Sequence, residues 1–128
     1  MNVEKKACTS PAFRFAMVDN GKEIAHGYMY VIENDFHAEP YALFEYFAVE
    51  EAYRGKGIGT KFVTEMVEAA KELGCYKILM QSRYGREGVH AFYEKLGFHD
   101  HGKNYRMNFF TTEAKVGAHG ATCDGCET

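Results

Sequence analysis

The chain has 128 residues, of which 46% are hydrophobic and 26% are charged, and only two are prolines. This composition predicts one globular domain with a hydrophobic core and excludes a disordered or fibrous chain. The formal net charge of −3 gives no electrostatic basis for binding nucleic acid or an anionic membrane. The sequence has neither an apolar run of about 18 residues nor a secretory signal, so we expect a cytoplasmic protein with no membrane partner.

The first half of the chain predicts an antiparallel hairpin followed by a buried strand. Residues 13–18 and 27–32 have strand-like patterns, and the turn signal Asp-Asn-Gly-Lys at 19–22 lies between them. We therefore predict a hairpin over residues 13–33. Residues 42–49 (ALFEYFAV) are aromatic and aliphatic enough for a buried third strand with a single acidic residue inside it.

The second half of the chain predicts two helices with a short strand between them. From Ile58 the apolar residues recur with a helical period, and Gly74 is suited to end this helix. Residues 76–81 (YKILMQ) predict a strand, and residues 88–96 predict a second helix that Gly97 closes.

The end of the chain predicts one further strand or hairpin, over residues 98–110, where apolar residues alternate from Tyr105 onward. Residues 111–128 lose this periodicity and are predicted to form a tail. The order β-β-β-α-β-α-β(β) predicts an α/β (α+β) fold in which helices pack against a mixed, mostly antiparallel sheet with a central parallel strand pair. We expect a single domain over residues 1–110.

A glycine-rich turn, residues 54–59 (RGKGIG), connects the third strand to the first helix. Glycine allows positive φ and a close approach of the backbone to a ligand, and the start of a helix presents free N–H groups to an anion. The spacing matches neither a P-loop nor the dinucleotide fingerprint, because Thr60 stands where the latter needs its third glycine. The turn therefore predicts a phosphate site of another kind, and the alternative is an ordinary strand–helix connection.

Two motifs in this region resemble those of the GNAT N-acetyltransferase superfamily. Residues 49–59 (VEEAYRGKGIG) are similar to its acetyl-CoA motif, V-x-x-x-x-R/Q-x-x-G-x-G/A, and residues 91–98 (AFYEKLGF) are similar to its second motif in the core FYEKLGF. The motifs lie at the family's spacing, and the resemblance covers about residues 13–110. One departure is Arg86, where many members carry asparagine seven positions before the tyrosine.

The resemblance implies that acetyl-CoA is the acetyl donor. Its pyrophosphate would lie on the backbone amides of residues 54–59, with the Arg54 or Lys56 side chain adding positive charge. Its pantetheine arm would pair with the third strand, which would splay from the fourth. The implied cofactor-binding residues are Phe47, Ala48, Val49, Arg54, Gly55, Lys56, Gly57, Ile58 and Gly59.

Acetyl transfer to an amine needs a base for the ammonium and an acid for the departing thiolate. Tyr93, which the resemblance places near the thioester sulfur, is the candidate acid, and its alternative role is core packing. Glu45 is the candidate base, directly or through a water, because an acid buried without a partner in an apolar strand becomes a stronger base. Its alternative is an ion pair with a lysine or arginine of a neighbouring strand. His90, one helical turn before Tyr93, is a further candidate base or substrate contact, and its alternative role is that of a solvated helix histidine.

The sequence thus predicts an acetyl-CoA-dependent N-acetyltransferase that acts on a small-molecule or peptide amine by direct attack in a ternary complex. One alternative is a non-catalytic acyl-CoA-binding module of the same fold. Another is an RNA-directed acetyltransferase, which the net charge disfavours. We expect no nucleic-acid partner, and an edge strand within residues 105–110 could pair across a homodimer.

The two ends of the chain carry the remaining predictions. Cys123 and Cys126 form a C-x-x-C motif with His119 upstream, which falls short of the four ligands of structural zinc, so we predict reduced thiols in a flexible tail and no metal site. Fewer residues precede the hairpin than is usual in the superfamily. We therefore expect an acceptor site that is open, or that a partner chain or the tail completes.

Overall fold

The computed structural model describes residues 1–113, which form one mixed sheet with two α-helices. The strand order is β1-β2-β3-β4, with antiparallel pairing from β1 to β3 and parallel pairing between β3 and β4. This arrangement confirms the predicted fold class. The elements are β1 (Ala12–Asp19), β2 (Lys22–Ile32), β3 (Tyr41–Val49), a 3-10 turn (Glu51–Tyr53), α1 (Ile58–Glu72), β4 (Ile78–Leu79) and α2 (Glu87–Lys95).

The β1–β2 hairpin forms where the Asn-Gly signal predicts it. Asn20 and Gly21 have φ values of 50° and 78°, and a two-residue turn with positive φ at both positions matches the twist of the flanking strands. The hairpin therefore confirms the prediction for residues 13–33, and both predicted helices also form, with boundaries within one residue of those expected.

The core lies between the sheet and α1. The helix buries Phe62, Val63, Met66 and Ala70 on one face. A Cβ built on Gly27 of β2 would lie 3.0 Å from the Met66 sulfur, so glycine at this position allows the helix to lie close to the sheet.

The parallel strand pair is much shorter than the strand that we predicted over residues 76–81. Only Ala42 with Ile78 and Leu43 with Leu79 are paired, and β3 continues to Val49 without β4 beside it. The two strands therefore separate after Leu43, and the implied splay is present.

A bulge in β3 accompanies this separation. His26 lies opposite Ala48 but Tyr28 lies opposite Glu45, so Tyr46 and Phe47 together face one residue of β2. Tyr46 has a φ of 50°, in the left-handed region that non-glycine residues seldom adopt. Because a bulge bends its strand and increases the local twist, it helps to carry β3 away from the line of β4.

The predicted strand or hairpin over residues 98–110 is wrong. These residues contain no strand, and the side chains of Tyr105, Met107 and Phe109 are 89%, 78% and 85% exposed. An alternating pattern shows which side chains could share a face, but a strand also needs a neighbour for its backbone hydrogen bonds. Within residues 1–113 no helix is both long and apolar enough to cross a membrane. The Cys123 and Cys126 motif lies outside the described residues.

Candidate active site

A cleft opens where β3 and β4 separate. Strand β3 lines it with residues around the bulge, the segment after β4 lines it with two residues, and α1 and α2 contribute the other side chains. Its lining residues are Phe44, Glu45, Tyr46, Phe47, Val63, Met66, Met80, Gln81 and Tyr93. The cleft thus brings together the two predicted catalytic residues, Glu45 and Tyr93, and the first predicted cofactor residue, Phe47.

The glycine turn enters α1 through two residues with positive φ, Gly55 at 74° and Gly57 at 79°. Gly57 is the residue before the helix, and no side chain caps the helix start. The first helical hydrogen bond runs from the Lys61 N–H to the Gly57 carbonyl at 3.1 Å, so the N–H groups of Ile58 to Thr60 have no acceptor within the helix. Together with the helix dipole, these groups form an anion-binding surface.

Space above this turn is open. A Cβ built on Gly55 or on Gly57 would meet no atom within 4 Å. By contrast, a Cβ built on Gly59 would lie 3.5 Å from the Phe92 ring, which packs α2 against the start of α1. The turn therefore has room for a ligand on its outer side, while its inner side is in contact with α2.

The turn is fastened to the tip of the β1–β2 hairpin. The Tyr53 hydroxyl donates to Asp19 Oδ2 at 2.9 Å, and Lys22 Nζ lies 2.6 Å from Glu50 Oε1. The hydrogen bond to Asp19 raises the pKa of Tyr53, and the Glu50 carboxylate raises the pKa of Lys22. These two contacts hold the segment between β3 and α1 at both ends of the 3-10 turn.

Two basic side chains lie on the turn itself. Arg54 Nε donates to the Val49 carbonyl at 3.2 Å, which folds its side chain back over the end of β3. Lys56 Nζ lies 5.6 Å from the centre of the Tyr53 ring, a cation–π contact. Both residues are exposed, and both closely precede the N–H groups that have no acceptor within the helix.

Tyr93 is buried, with 6% of its surface exposed, where it lines the cleft. Its ring makes edge-on contacts with Phe92 and Phe98, at centroid distances of 5.2 and 5.8 Å. Tyr93 therefore packs against its neighbours and also lines the cleft, and its role as an acid stays a prediction. His90 lies apart from this arrangement, because its Nε2 is 2.9 Å from the Arg83 carbonyl of the preceding loop.

Glu45 is exposed, so the argument that burial strengthens it as a base is wrong. Alternation places Glu45 on the sheet face opposite Gly27 and α1, since its register partner is Tyr28. No lysine or arginine among residues 1–113 forms an ion pair with it. Glu45 is thus a solvent-accessible carboxylate at the edge of the cleft.

The sequence reasoning missed a cluster of tyrosines around Glu45. The Tyr28 ring lies nearly parallel to Tyr30 and to Tyr46, at a centroid distance of 6.4 Å in each case. Burial raises the pKa of Tyr30, and the negative charge of Glu45 raises it further. Alternation along β2 could have identified Tyr28 and Tyr30, but the bulge that turns Tyr46 toward them leaves no sequence signal. We call Tyr28, Tyr30, Tyr46 and Glu45 the tyrosine face.

His26 lies beside this face and is 7% exposed. Its ring packs on Tyr46 at 4.8 Å, its Nδ1 is 3.6 Å from Glu23 Oε2, and its Nε2 has no hydrogen-bond partner among the described residues. Burial lowers the pKa of His26, and the nearby Arg14 lowers it further, while Glu23 acts in the opposite direction.

The remaining predicted cofactor residues form the end of β3. Phe47, Ala48 and Val49 are buried, and Phe47 lies between the rings of Phe62 and Phe92 at 5.6 and 6.5 Å. Their side chains pack in the core and so hold the end of the strand in place.

Comparison with a protein-family model identifies the class of fold around this site. The model of the Acetyltransferase (GNAT) family matches residues 3–98. A solved structure from Agrobacterium tumefaciens str. C58 superposes with a TM-score of 0.72 at 32% identity, covering 76% of this chain and 68% of that one. Glucosamine-6-phosphate N-acetyltransferase from Arabidopsis thaliana superposes with a TM-score of 0.70 at 22% identity, covering 77% and 67%, and shares the fold.

Two curated relatives show the range of acceptors among similar sequences. Glucosamine 6-phosphate N-acetyltransferase of Trypanosoma brucei brucei is 37% identical over 60 residues, which is 47% of this chain and 39% of that protein. N-alpha-acetyltransferase 30 of Schizosaccharomyces pombe is 28% identical over 106 residues, which is 81% of this chain and 69% of that protein. The match therefore spans less than half of the first relative and about two thirds of the second.

Proposed function

This chain belongs to the GNAT acetyltransferase family, and from that premise we propose that it is an N-acetyltransferase that uses acetyl-CoA and a primary amine. One observation carries the proposal: the cleft between the diverging strands β3 and β4 lies beside a helix start that is entered through glycine and has no side-chain cap. The names of the two relatives support an amine as the acceptor. One is named for the acetylation of glucosamine 6-phosphate, and the other is named an N-alpha-acetyltransferase.

The described residues fit acetyl-CoA. The N–H groups of Ile58 to Thr60, the open space over Gly55 and Gly57 and the exposed Arg54 and Lys56 side chains suit the pyrophosphate. The pairing of β3 with β4 ends at Leu43, and we propose that the pantetheine arm lies along β3 beyond this point.

Bound acetyl-CoA would supply an activated acetyl thioester. We propose that Glu45, directly or through a water, accepts the proton that the ammonium must lose before its nitrogen can form the new N–C bond. Because Glu45 is exposed, it can pass this proton to solvent. Tyr93 donates its phenolic proton to the sulfur as the C–S bond breaks and recovers it from the second N–H proton of the attacking nitrogen. The products are an N-acetyl amine, a free thiol and one proton.

The test follows the free thiol released when the protein is incubated with acetyl-CoA and a panel of primary amines. We expect turnover with wild type, and a decrease of about 100-fold or more in Tyr93→Phe with little change in acetyl-CoA affinity, because a general acid contributes about 10²- to 10⁴-fold. Tyr84→Phe is the matched control, since Tyr84 is 89% exposed and outside the cleft. Acetyl-CoA binding without turnover on the whole panel would instead favour the non-catalytic module.

A further inference from the structure

The tyrosine face is the part of the site that can select the acceptor. It adjoins the cleft, because Glu45 and Tyr46 belong to both. Tyr28 and Tyr30 are half-buried and Glu45 is exposed, so a ligand can reach them from solvent. Three aromatic rings beside one carboxylate form a surface with aromatic faces and a negative charge, and such a surface attracts cations.

Tyrosines of this sheet already hold cations of the chain itself. Arg14 Cζ lies 5.8 Å from the centre of the Tyr28 ring, and Lys77 Nζ lies 4.9 Å from that of Tyr41. Arg14 is neutralised by Glu23, to which it donates two hydrogen bonds of 2.7 and 2.8 Å. The free charge at the cleft end of the face is therefore the carboxylate of Glu45.

These charges discriminate between acceptor classes. Lys77 lies over Tyr41, four residues along β3 from Glu45 and so roughly 13 Å away. A phosphate or carboxylate placed on Tyr30 would meet the Glu45 carboxylate, whereas the guanidinium of Arg14 beside Tyr28 is paired with Glu23. A second positive charge on the acceptor would instead be attracted by both the rings and the carboxylate.

We propose that the acceptor is an alkyl amine with a second positive charge, which docks over Tyr28 and Tyr30 beside Glu45. The attacking amine must be neutral when it forms the N–C bond, whereas the second cation keeps its charge and supplies affinity throughout. As a statement about the acetyl acceptor this rests on the proposed function, but the docking of a dication is measurable without turnover.

The experiment compares three amines of equal chain length that differ only in their second charge: 1,4-diaminobutane, 1-aminobutane and 4-aminobutanoate. We expect kcat/KM to be highest for the diamine and lowest for the aminobutanoate, by about 2- to 30-fold for each contact between the second charge and a ring. Glucosamine 6-phosphate, an anionic sugar amine, is expected to be a poor acceptor. Equal kcat/KM values, or a preference for either anionic amine, would overturn the inference while leaving acetyl transfer established.

Two substitutions of Tyr30 distinguish the contribution of its aromatic ring from that of its hydroxyl group. Tyr30→Leu removes the aromatic face and is expected to lower the ratio of diamine to monoamine turnover, whereas Tyr30→Phe keeps the ring and the ratio. If the ratio of diamine to monoamine turnover is unchanged in Tyr30→Leu, the same ratio is measured in Tyr28→Leu. A ratio that is unchanged in both variants contradicts the proposal.

Calorimetric titration distinguishes failure of this inference from failure of the proposed function. If no amine is acetylated, tighter binding of 1,4-diaminobutane than of 4-aminobutanoate, reduced in Tyr30→Leu, would retain the cation site while acetyl transfer fails. Equal binding of the two, or tighter binding of 4-aminobutanoate, would overturn the cation site as well.

Discussion

Replacing Gly57 by alanine tests the glycine turn more directly than any other change. At its φ of 79° an alanine costs about 1 to 2 kcal/mol, since an L side chain is strained in the left-handed region. The new Cβ would meet no protein atom within 4 Å, so strain and not a clash accounts for the loss of stability. That Cβ would occupy the space in which we propose that the pyrophosphate lies.

The expected loss of acetyl-CoA affinity follows from the contacts that the turn offers. A hydrogen bond to a charged group is worth about 1.5 to 3 kcal/mol, so displacing the phosphate from one N–H raises the Kd by about 10- to 100-fold. Gly74→Ala is a matched control, because Gly74 has the same φ of 79° and the same open surroundings. It lies beyond the other end of α1, whose 15 residues span about 22 Å.

Two measurements are needed for each variant: thermal unfolding and the Kd for acetyl-CoA by calorimetry. We expect both alanine variants to lose similar stability, a decrease in Tm of roughly 4 °C or more, and only Gly57→Ala to lose affinity. If Gly57→Ala binds acetyl-CoA as tightly as Gly74→Ala does, the turn does not hold the phosphates and the reasoning is refuted.

Two further predictions concern protonation. Because the pKa of His26 is lower in the folded state than its ordinary value of 6.5, the unfolded chain binds more protons below about pH 6.5, and stability must fall as the pH decreases through that range. We expect the decrease in Tm between pH 7.5 and 5.5 to be smaller in His26→Phe than in wild type, and equal decreases in the two proteins would contradict this. The lowered pKa of Glu23 does not interfere in this range, because it affects stability only below about pH 4.5. In Glu45→Gln we expect kcat to decrease by about 100-fold or more, because a general base contributes about 10²- to 10⁴-fold, and unchanged turnover would remove Glu45 as the base.

Local signals in the sequence were sufficient for the elements that local chemistry determines. The Asn20-Gly21 pair fixes the hairpin, and the helical period from Ile58 fixes α1, since both depend on residues close together in the chain. The alternation after Tyr105 does not by itself predict a strand correctly, because a strand also needs a neighbouring strand, which the local pattern does not reveal.

In the candidate site, too, the sequence predicts the features that local chemistry determines and misses the others. The glycine turn could be predicted because its spacing encodes its backbone, and residues 54–59 do enter α1 with positive φ at two glycines. The sequence could not predict that Glu45 is exposed or where Tyr46 lies. A single extra residue in β3 changes which side chains face which side of the sheet. The tyrosine face is therefore a consequence of the bulge.

The attachment of the glycine turn to the hairpin tip has a kinetic consequence. Tyr53 and Asp19, which are 34 positions apart in the chain, fix the segment before any ligand arrives. A segment that is already ordered loses little conformational entropy on binding, so acetyl-CoA association should be a single fast step without a slow rearrangement. Residues at the hairpin tip would then influence the rate at which acetyl-CoA associates, through the order that they give the turn.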